Sequence, residues 1–427
     1  MKLGNPDKFW AFGGEVGRSA TRFLLGILVA RWAGPEVYGI YVLLITVEVI
    51  LHTVANSIWA VPMGTIAPAL ESEPRKALIA HAVRRHWQAT WASGLALLLS
   101  MPFALAHMPT SHYLAFAATV VLAGGLNIRR AQMVTSFRAQ PMFFCDFGTT
   151  LFPIVAVGVA WFTSRDVVLA FWASRAIGSA LSIVALKFVA PIEAGAADVD
   201  LTRMKSMGKH MLLGSMANSV CSRVHPFVLA AVATPLQLGV FGAANALLGP
   251  MRMLTMAVAG VLRPRLALHF GQNGGKKGWL VTTVAFGVMG VGGVVGTLGL
   301  VFLGTLVAEL VFGGEFEGLG RLLPVAAVYA TIASINNVGA VVIQTIDSAK
   351  TTTKLRTWSG VLSILLVWPA CAGWGEFGAF YSLILAEGYY LVAGGMRILS
   401  VKRERQRSLS LVQDASAVGA GGLSDAA

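Results

Sequence analysis

Twelve long apolar stretches divide this chain, and the loops between them alternate in charge, basic and then neutral or acidic, from one end to the other. A helix needs roughly 20 apolar residues to cross about 30 Å of hydrocarbon. Spans of that kind are predicted near residues 9–33, 38–62, 87–107, 112–131, 142–163, 166–190, 210–233, 236–260, 279–304, 321–345, 358–374 and 376–399. Of the 33 Lys and Arg, 25 fall in the even-numbered connections and the two termini, and only Arg31, Arg165 and Arg321 in the opposite set. Lys and Arg stay preferentially on the cytoplasmic side of a membrane, so both termini are predicted to be cytoplasmic.

Composition narrows the function classes. The net charge of +13 is spread over every predicted inner loop rather than gathered in one patch, which points away from a nucleic-acid partner. At 56% hydrophobic and 12% charged residues, the chain has too few charges to cover a soluble surface of this size. Cys145, Cys221 and Cys371 all lie in or at the ends of spans, which argues against a disulfide framework and a Cys-rich metal site. Glu15, Arg18 and Arg22 interrupt the first apolar stretch, so it reads as a retained span rather than a signal peptide. Phosphate-loop, metallohydrolase and Ser/His/Asp patterns are not found, and no catalytic residue, cofactor or metal is predicted.

The chain divides at its largest charge cluster. Residues 1–190 and 210–400 each hold six spans, 191–209 form a cytoplasmic linker, and 401–427 read as a basic and then disordered tail. A repeat supports the division. Ala33-Gly34-Pro35-Glu36-Val37-Tyr38-Gly39-Ile40-Tyr41 and, 200 residues later, Ala233-Thr234-Pro235-Leu236-Gln237-Leu238-Gly239-Val240-Phe241 share the pattern A-x-P-x-x-x-G-[IV]-[YF]. Both link the first and second spans of their half. The expected fold is therefore an all-α membrane protein of about 12 transmembrane helices, in two six-helix bundles related by a pseudo-two-fold along the membrane normal. Residues 64–86 read as a short amphipathic helix lying on the membrane surface.

Function is most legible in the ionisable residues within spans: Glu15, Arg18, Arg22, Glu48, Arg175, Arg223, Arg252 and Glu387. Each costs roughly 2.5–3.5 kcal/mol at a helix centre if it faces lipid, and all eight together on the order of 20 kcal/mol, so they must face an interior. Glu15, Arg18 and Arg22 share one stripe of the first span, and Glu48, His52 and Asn56 one stripe of the second. Asn218, Ser222 and His225 share a face of the seventh, and Asn245 and Arg252 a face of the eighth. The expectation is a cavity between the halves lined mainly by these four spans. Five arginines against three glutamates give it a positive surplus suited to a phosphate or pyrophosphate, which the planar guanidinium binds bidentately. Glu15, Glu48, His52 and Glu387 are the candidate ion-coupling residues, and Asn56, Asn218, His225 and Asn245 the polar lining. The alternative is that pairs such as Glu15 and Arg18 are buried ion bridges that only fix helix packing.

The residues Ala30-Arg31-Trp32-Ala33-Gly34-Pro35-Glu36-Val37-Tyr38-Gly39-Ile40-Tyr41 resemble the A-R-x-x-G-P-x-x-[YF]-G-x-[YF] turn of a known family. That family is the polysaccharide transport branch of the multidrug/oligosaccharidyl-lipid/polysaccharide exporter superfamily, the O-antigen and exopolysaccharide flippases. Gly239-Val240-Phe241-Gly242-Ala243-Ala244 leading to Arg263-Pro264-Arg265-Leu266 is similar to its G-x-[YF]-x-x-A and P-R-L elements, and Phe312-Gly313-Gly314-Glu315-Phe316 to its F-G-x-x-[YF] loop. The resemblance implies a flippase of the bacterial cytoplasmic membrane. It would move a polyprenyl-pyrophosphate-linked oligosaccharide by alternating access, with arginines Arg18, Arg22, Arg175, Arg223 and Arg252 holding the pyrophosphate. Membrane lipids and glycan-biosynthesis enzymes are the implied partners. The competing readings are an ion-coupled drug or metabolite exporter on the same scaffold, and a membrane glycan polymerase or ligase. The last usually needs a sizeable outer loop, which this chain does not offer.

Overall fold

The computed structural model describes residues 6–104, 108–136, 139–163, 165–193, 195, 201–271 and 276–421, with the side chains of most of them. The described residues are helical almost throughout. In chain order the helices are α1 (Pro6–Ala55), α2 (Val61–Ile66), α3 (Ser72–Ala104), α4 (Thr110–Thr135), α5 (Ala139–Phe162), α6 (Val167–Val189), α7 (Thr202–Val232), α8 (Pro235–Leu247), α9 (Gly249–Gly271), α10 (Lys276–Phe312), α11 (Leu319–Ile346) and α12 (Ala349–Gly421).

Two of them are bent pairs. In α1, Gly34 takes φ 77° and ψ 166°, a conformation that L side chains rarely adopt, and Pro35 then supplies no backbone N–H. In α12, Gly375 breaks the helix with φ 53° and ψ −129°. The breaks fall at the predicted turns, 33–38 and 374–376. Counting two arms each for α1 and α12, and α8 with α9 as one interrupted segment, the described helices give the twelve crossings expected. Among the described residues, seven helices are long and apolar enough to cross a membrane by length and composition alone, α1 and α12 counting once each. α3 and α7 are not among them, because polar residues interrupt their apolar stretches, Gln88, Thr90 and Ser93 in α3 and Asn218, Arg223 and His225 in α7. The chain is a multi-pass membrane protein.

One expectation changes. Residues 72–86 are not a separate surface helix; they are the first turns of α3, continuous with its span. The reason is burial. Leu78, Ile79, Ala82 and Val83 pack with Met63, Ile66, Ile128 and Met204 in one apolar cluster, which holds this stretch in line with the rest of the helix.

The helices form two compact units. The first comprises residues 1–247 with 305–319, and the second 248–304 with 320–427. In the first, the second arm of α1 crosses α8 closely, and the crossing is reciprocal. A Cβ on Gly39 would overlap the carbonyl oxygen of Pro235, and one on Gly239 the carbonyl oxygen of Pro35. Equivalent positions of the sequence repeat thus exchange contacts, as a local two-fold axis between the two turns requires. The end of α10 packs here too. Arg31 Nη1 donates to the carbonyl of Leu310 at 3.0 Å, and the Tyr38 ring meets Phe316 edge-on at 6.2 Å. The two family-like turns, around Gly34 and around Gly313, therefore form one packed cluster.

In the second unit, Leu262, Leu266, Ala285, Met289, Val338, Val341 and Val342 form the core. Thr255 Oγ1 donates to Ser334 Oγ at 2.8 Å across it.

Candidate functional site

Glu48 and His52 on α1 and Asn56 just past its end stand at i, i+4 and i+8, one stripe facing inward. At Asn56 the helix loosens into a single π-helical turn, Asn56–Ala60, before Pro62. The stripe forms one wall of a cavity of about 350 Å³ inside the first unit. The first arm of α1 adds Thr21 and Arg22, α4 adds Asn127 and Arg130, α5 adds Asp146, Thr149 and Thr150, and α6 adds Phe171, Arg175 and Ser179.

Two ion pairs face this space. Arg175 grips Glu48 with both ends of its fork, Nη1 to Oε2 and Nη2 to Oε1, each at 2.7 Å. Its guanidinium also lies 5.3 Å from the centre of the Phe171 ring. On the facing helices, Arg130 Nη2 donates to Asp146 Oδ2 at 2.6 Å. Glu48 and Asp146 are each only 4% exposed. A buried carboxylate that loses its partner costs several kcal/mol, so each arginine is held tightly while nothing else competes for it.

His52 completes the wall. Its Nε2 lies 2.9 Å from the carbonyl oxygen of Val120, which can only accept, so that nitrogen carries the ring proton. Nδ1 is left as the acceptor, 3.4 Å from Asn127 Nδ2 and 3.6 Å from Glu48 Oε1. A second proton on Nδ1 would place an imidazolium beside the carboxylate that Arg175 now holds. Behind this wall, His86 Nε2 donates to Asn56 Oδ1 at 3.1 Å.

Of the residues singled out in the sequence, Arg22, Glu48, His52, Asn56 and Arg175 meet at this cavity. Arg223 and Asn245 are half-buried and His225 is fully buried in the first unit, but none of them lines it. Arg252 and Glu387 belong to the second unit. There Glu387 has its own partners: Arg356 Nη1 donates to Oε1 at 2.7 Å and Asn336 Nδ2 to Oε2 at 2.5 Å. Arg356 also reaches Asn337 Oδ1 at 3.2 Å and stacks 4.2 Å from the centre of the Tyr390 ring. Glu15, Arg18 and Asn218 lie outside the described side chains.

Arg130 and Asp146 escaped the sequence reading. Arg130 is one of the 25 cations counted with the connections and termini, yet it lies within α4. Asp146 lies inside a stretch already read as a span, and an acid at that place was the signal available. Among the described side chains that line the cavity, three guanidinium groups, Arg22, Arg130 and Arg175, gather with two carboxylates, Glu48 and Asp146. In a low-dielectric setting a cluster of guanidinium groups attracts anions.

Comparison with known proteins agrees with this architecture. A family model described as polysaccharide biosynthesis protein matches residues 92–275. No curated protein matches the chain by sequence. Among solved structures, an inward-facing multidrug resistance MATE family transporter of the MOP superfamily aligns with a TM-score of 0.74 at 12% identity, over 90% of this chain and 96% of that one. The lipid II flippase MurJ, in an inward closed conformation, aligns with a TM-score of 0.72 at 11% identity, over 95% and 92%. The bent form of the Vibrio cholerae MATE transporter VcmN aligns with 0.59 at 13%, over 94% and 96%. At these identities the likeness is one of fold. Together the family match and the shared fold bear out the resemblance drawn from the turns.

Proposed function

We propose that this chain is a flippase that moves a polyprenyl-pyrophosphate-linked oligosaccharide, an O-antigen, capsule or exopolysaccharide repeat unit, across the bacterial cytoplasmic membrane by alternating access. Both termini are cytoplasmic in this reading, and the chain transports without catalysing a covalent change. The observation that carries it is the arginine-rich cavity within the first unit, where Arg22, Arg130 and Arg175 gather with Glu48 and Asp146 inside membrane-spanning helices. A solvated pyrophosphate is the chemistry such a site suits, because a guanidinium fork matches phosphate oxygens and stays charged when desolvated. The match to a polysaccharide biosynthesis family and the fold shared with a lipid II flippase favour a lipid-linked glycan as cargo.

Arg18, Arg223 and Arg252 remain candidates for the same anion, and Glu15, Glu48, His52 and Glu387 for coupling to an ion gradient, on the strength of their places within spans. The fold shared with MATE transporters keeps an ion-coupled exporter of small molecules as the second reading. Deleting the gene decides between them. The flippase reading expects lipid-linked oligosaccharide to accumulate on the cytoplasmic leaflet, whereas an exporter would leave that pool unchanged and alter sensitivity to a toxic small molecule.

A further inference from the structure

A polar pocket of about 200 Å³ lies at one end of α3, α4 and α6 in the first unit, apart from the cavity described above. Arg75 and Lys76 enter it from α3, Gln132 and Ser136 from the end of α4, and Glu193 from the chain just past α6. Its walls are fixed. Lys76 Nζ lies 3.0 Å from Glu73 Oε1 and 2.9 Å from Glu193 Oε2, which ties the chain after α6 to the first turn of α3. A Cβ on Gly195 would overlap the backbone of Glu73 and Ala77, so this strap lies flush on the helix. Gln132, 5% exposed, offers its side-chain oxygen to Arg129 Nη1 at 2.5 Å, which leaves the amide nitrogen as the group free to donate. Among the described residues, neither that nitrogen nor the half-buried Arg75 guanidinium nor the Ser136 hydroxyl has a hydrogen-bond or ion-pair partner. Three donors on one pocket, one of them a guanidinium, suit a phosphate.

The neighbouring surface says what carries that phosphate. α5 and α6 leave an apolar groove of about 540 Å³ between them, lined by Phe144, Leu181 and Val189, each more than half exposed. In a multi-pass membrane protein that exposure is to hydrocarbon. Groove and pocket adjoin: Met133 and Ala190 line the pocket, Leu186 and Cys145 the groove, and all four pack in one apolar cluster. The pocket also lies at the right depth. The predicted span of α4 ends at residue 131, and Ser136 is roughly 7 Å further along the helix, within the headgroup layer. We propose that pocket and groove together hold one anionic glycerophospholipid, with its phosphodiester on Arg75, Gln132 and Ser136, a headgroup hydroxyl on Glu193 and one acyl chain in the groove. Basic pockets between helix ends are where such headgroups settle. Glu193 keeps Oε1 for the hydroxyl, since Lys76 holds Oε2, and the Lys76 ammonium turns away a second cation. A glycerol headgroup therefore fits better than ethanolamine or choline. Nothing in this site depends on the cargo.

Native mass spectrometry of the purified full chain tests this, with dioleoyl phosphatidylglycerol, phosphatidylethanolamine and phosphatidylcholine as ligands and glycerol 3-phosphate as the probe without acyl chains. The wild type is expected to hold one phosphatidylglycerol about tenfold more tightly than either zwitterionic lipid, and glycerol 3-phosphate about a hundredfold more weakly. Arg75→Ala should lose the preference, and Arg75→Lys should keep part of it, because it retains the charge without the fork. Ser136→Ala deletes a hydroxyl that holds no other group, so the fold is kept, and it should weaken phosphatidylglycerol about threefold or more. Ala185→Trp fills the groove from an exposed position and should weaken it about tenfold. Equal binding of the three lipids by the wild type, or a preference unchanged in Arg75→Ala, Ser136→Ala and Ala185→Trp alike, overturns the proposal. Glycerol 3-phosphate binding as tightly as phosphatidylglycerol would give the pocket to a free phosphate, and displacement of phosphatidylglycerol by an equal concentration of a polyprenyl diphosphate would give it to a cargo lipid. Either result also overturns it.

Discussion

Gly39 and Gly239 occupy the same place in two turns 200 residues apart, and each lies against the backbone of the other's turn, Gly39 on the Pro235 carbonyl and Gly239 on the Pro35 carbonyl. A side chain at either would push two helix backbones apart. Gly39→Ala and Gly239→Ala are each expected to destabilise the protein by roughly 1–3 kcal/mol, read as a lower melting temperature in detergent. One turn further on, a Cβ on Gly242 would lie 3.2 Å from Cβ of Val42, a few tenths of an ångström short of the roughly 3.5–4.5 Å at which disulfides form, a gap that a small shift of the helices closes. The pair Val42→Cys/Gly242→Cys should cross-link on oxidation and stop transport until reduced. Free thiols after oxidation would contradict the crossing.

Arg175 and Glu48 are expected to behave as a unit. Removing the guanidinium in Arg175→Ala leaves a carboxylate buried without its partner and should cost about 3–5 kcal/mol of stability. Arg175→Gln with Glu48→Gln should recover most of it. Thermal unfolding of the three proteins checks this, and additive losses in the double variant would show that the two side chains do not interact.

Neighbouring arginines have separate tasks. Arg129, 2% exposed, turns away from the cavity and donates to the carbonyl oxygens of Leu186 and Ala190 at 2.9 and 2.6 Å, closing the last turn of α6. Carbonyls at a helix end have no partner within the helix, so the guanidinium satisfies them and meets the negative end of the helix dipole. Arg129→Ala should therefore lower stability by roughly 1–3 kcal/mol while leaving anion affinity unchanged. Arg130→Ala should do the reverse in affinity. Loss of binding in both would merge the two roles.

How the chain sits in the membrane follows from loop charge alone. Gly314→Cys is expected to react with an impermeant thiol reagent in intact cells, and Lys277→Cys to be protected. The opposite pattern would invert the orientation.

Much of this was open to the sequence. The spans, the breaks at Gly34 and Gly375 and the stripe of Glu48, His52 and Asn56 follow from apolar length, Gly-Pro placement and helical periodicity. Pairing was not. Glu48 and Arg175 are 127 residues apart, and nothing local marks them as partners. Arg129 and Arg130 look alike in a basic run, because only the packing of α4 against α5 and α6 turns one toward helix carbonyls and the other toward the cavity. The same holds for Glu387, whose partner Arg356 is one of the cations counted with the connections and is brought to it only by the fold of α12.

The most direct test of the account is the rate at which a fluorescent polyprenyl-diphosphate oligosaccharide crosses proteoliposome membranes. Wild-type protein should flip it. Arg22→Ala, and the charge-balanced double variant Glu48→Gln/Arg175→Gln, should each be at least about tenfold slower at equal amounts of folded protein. Equal rates for wild type and both variants would contradict the claim that the first-unit cavity carries an anionic, lipid-linked cargo.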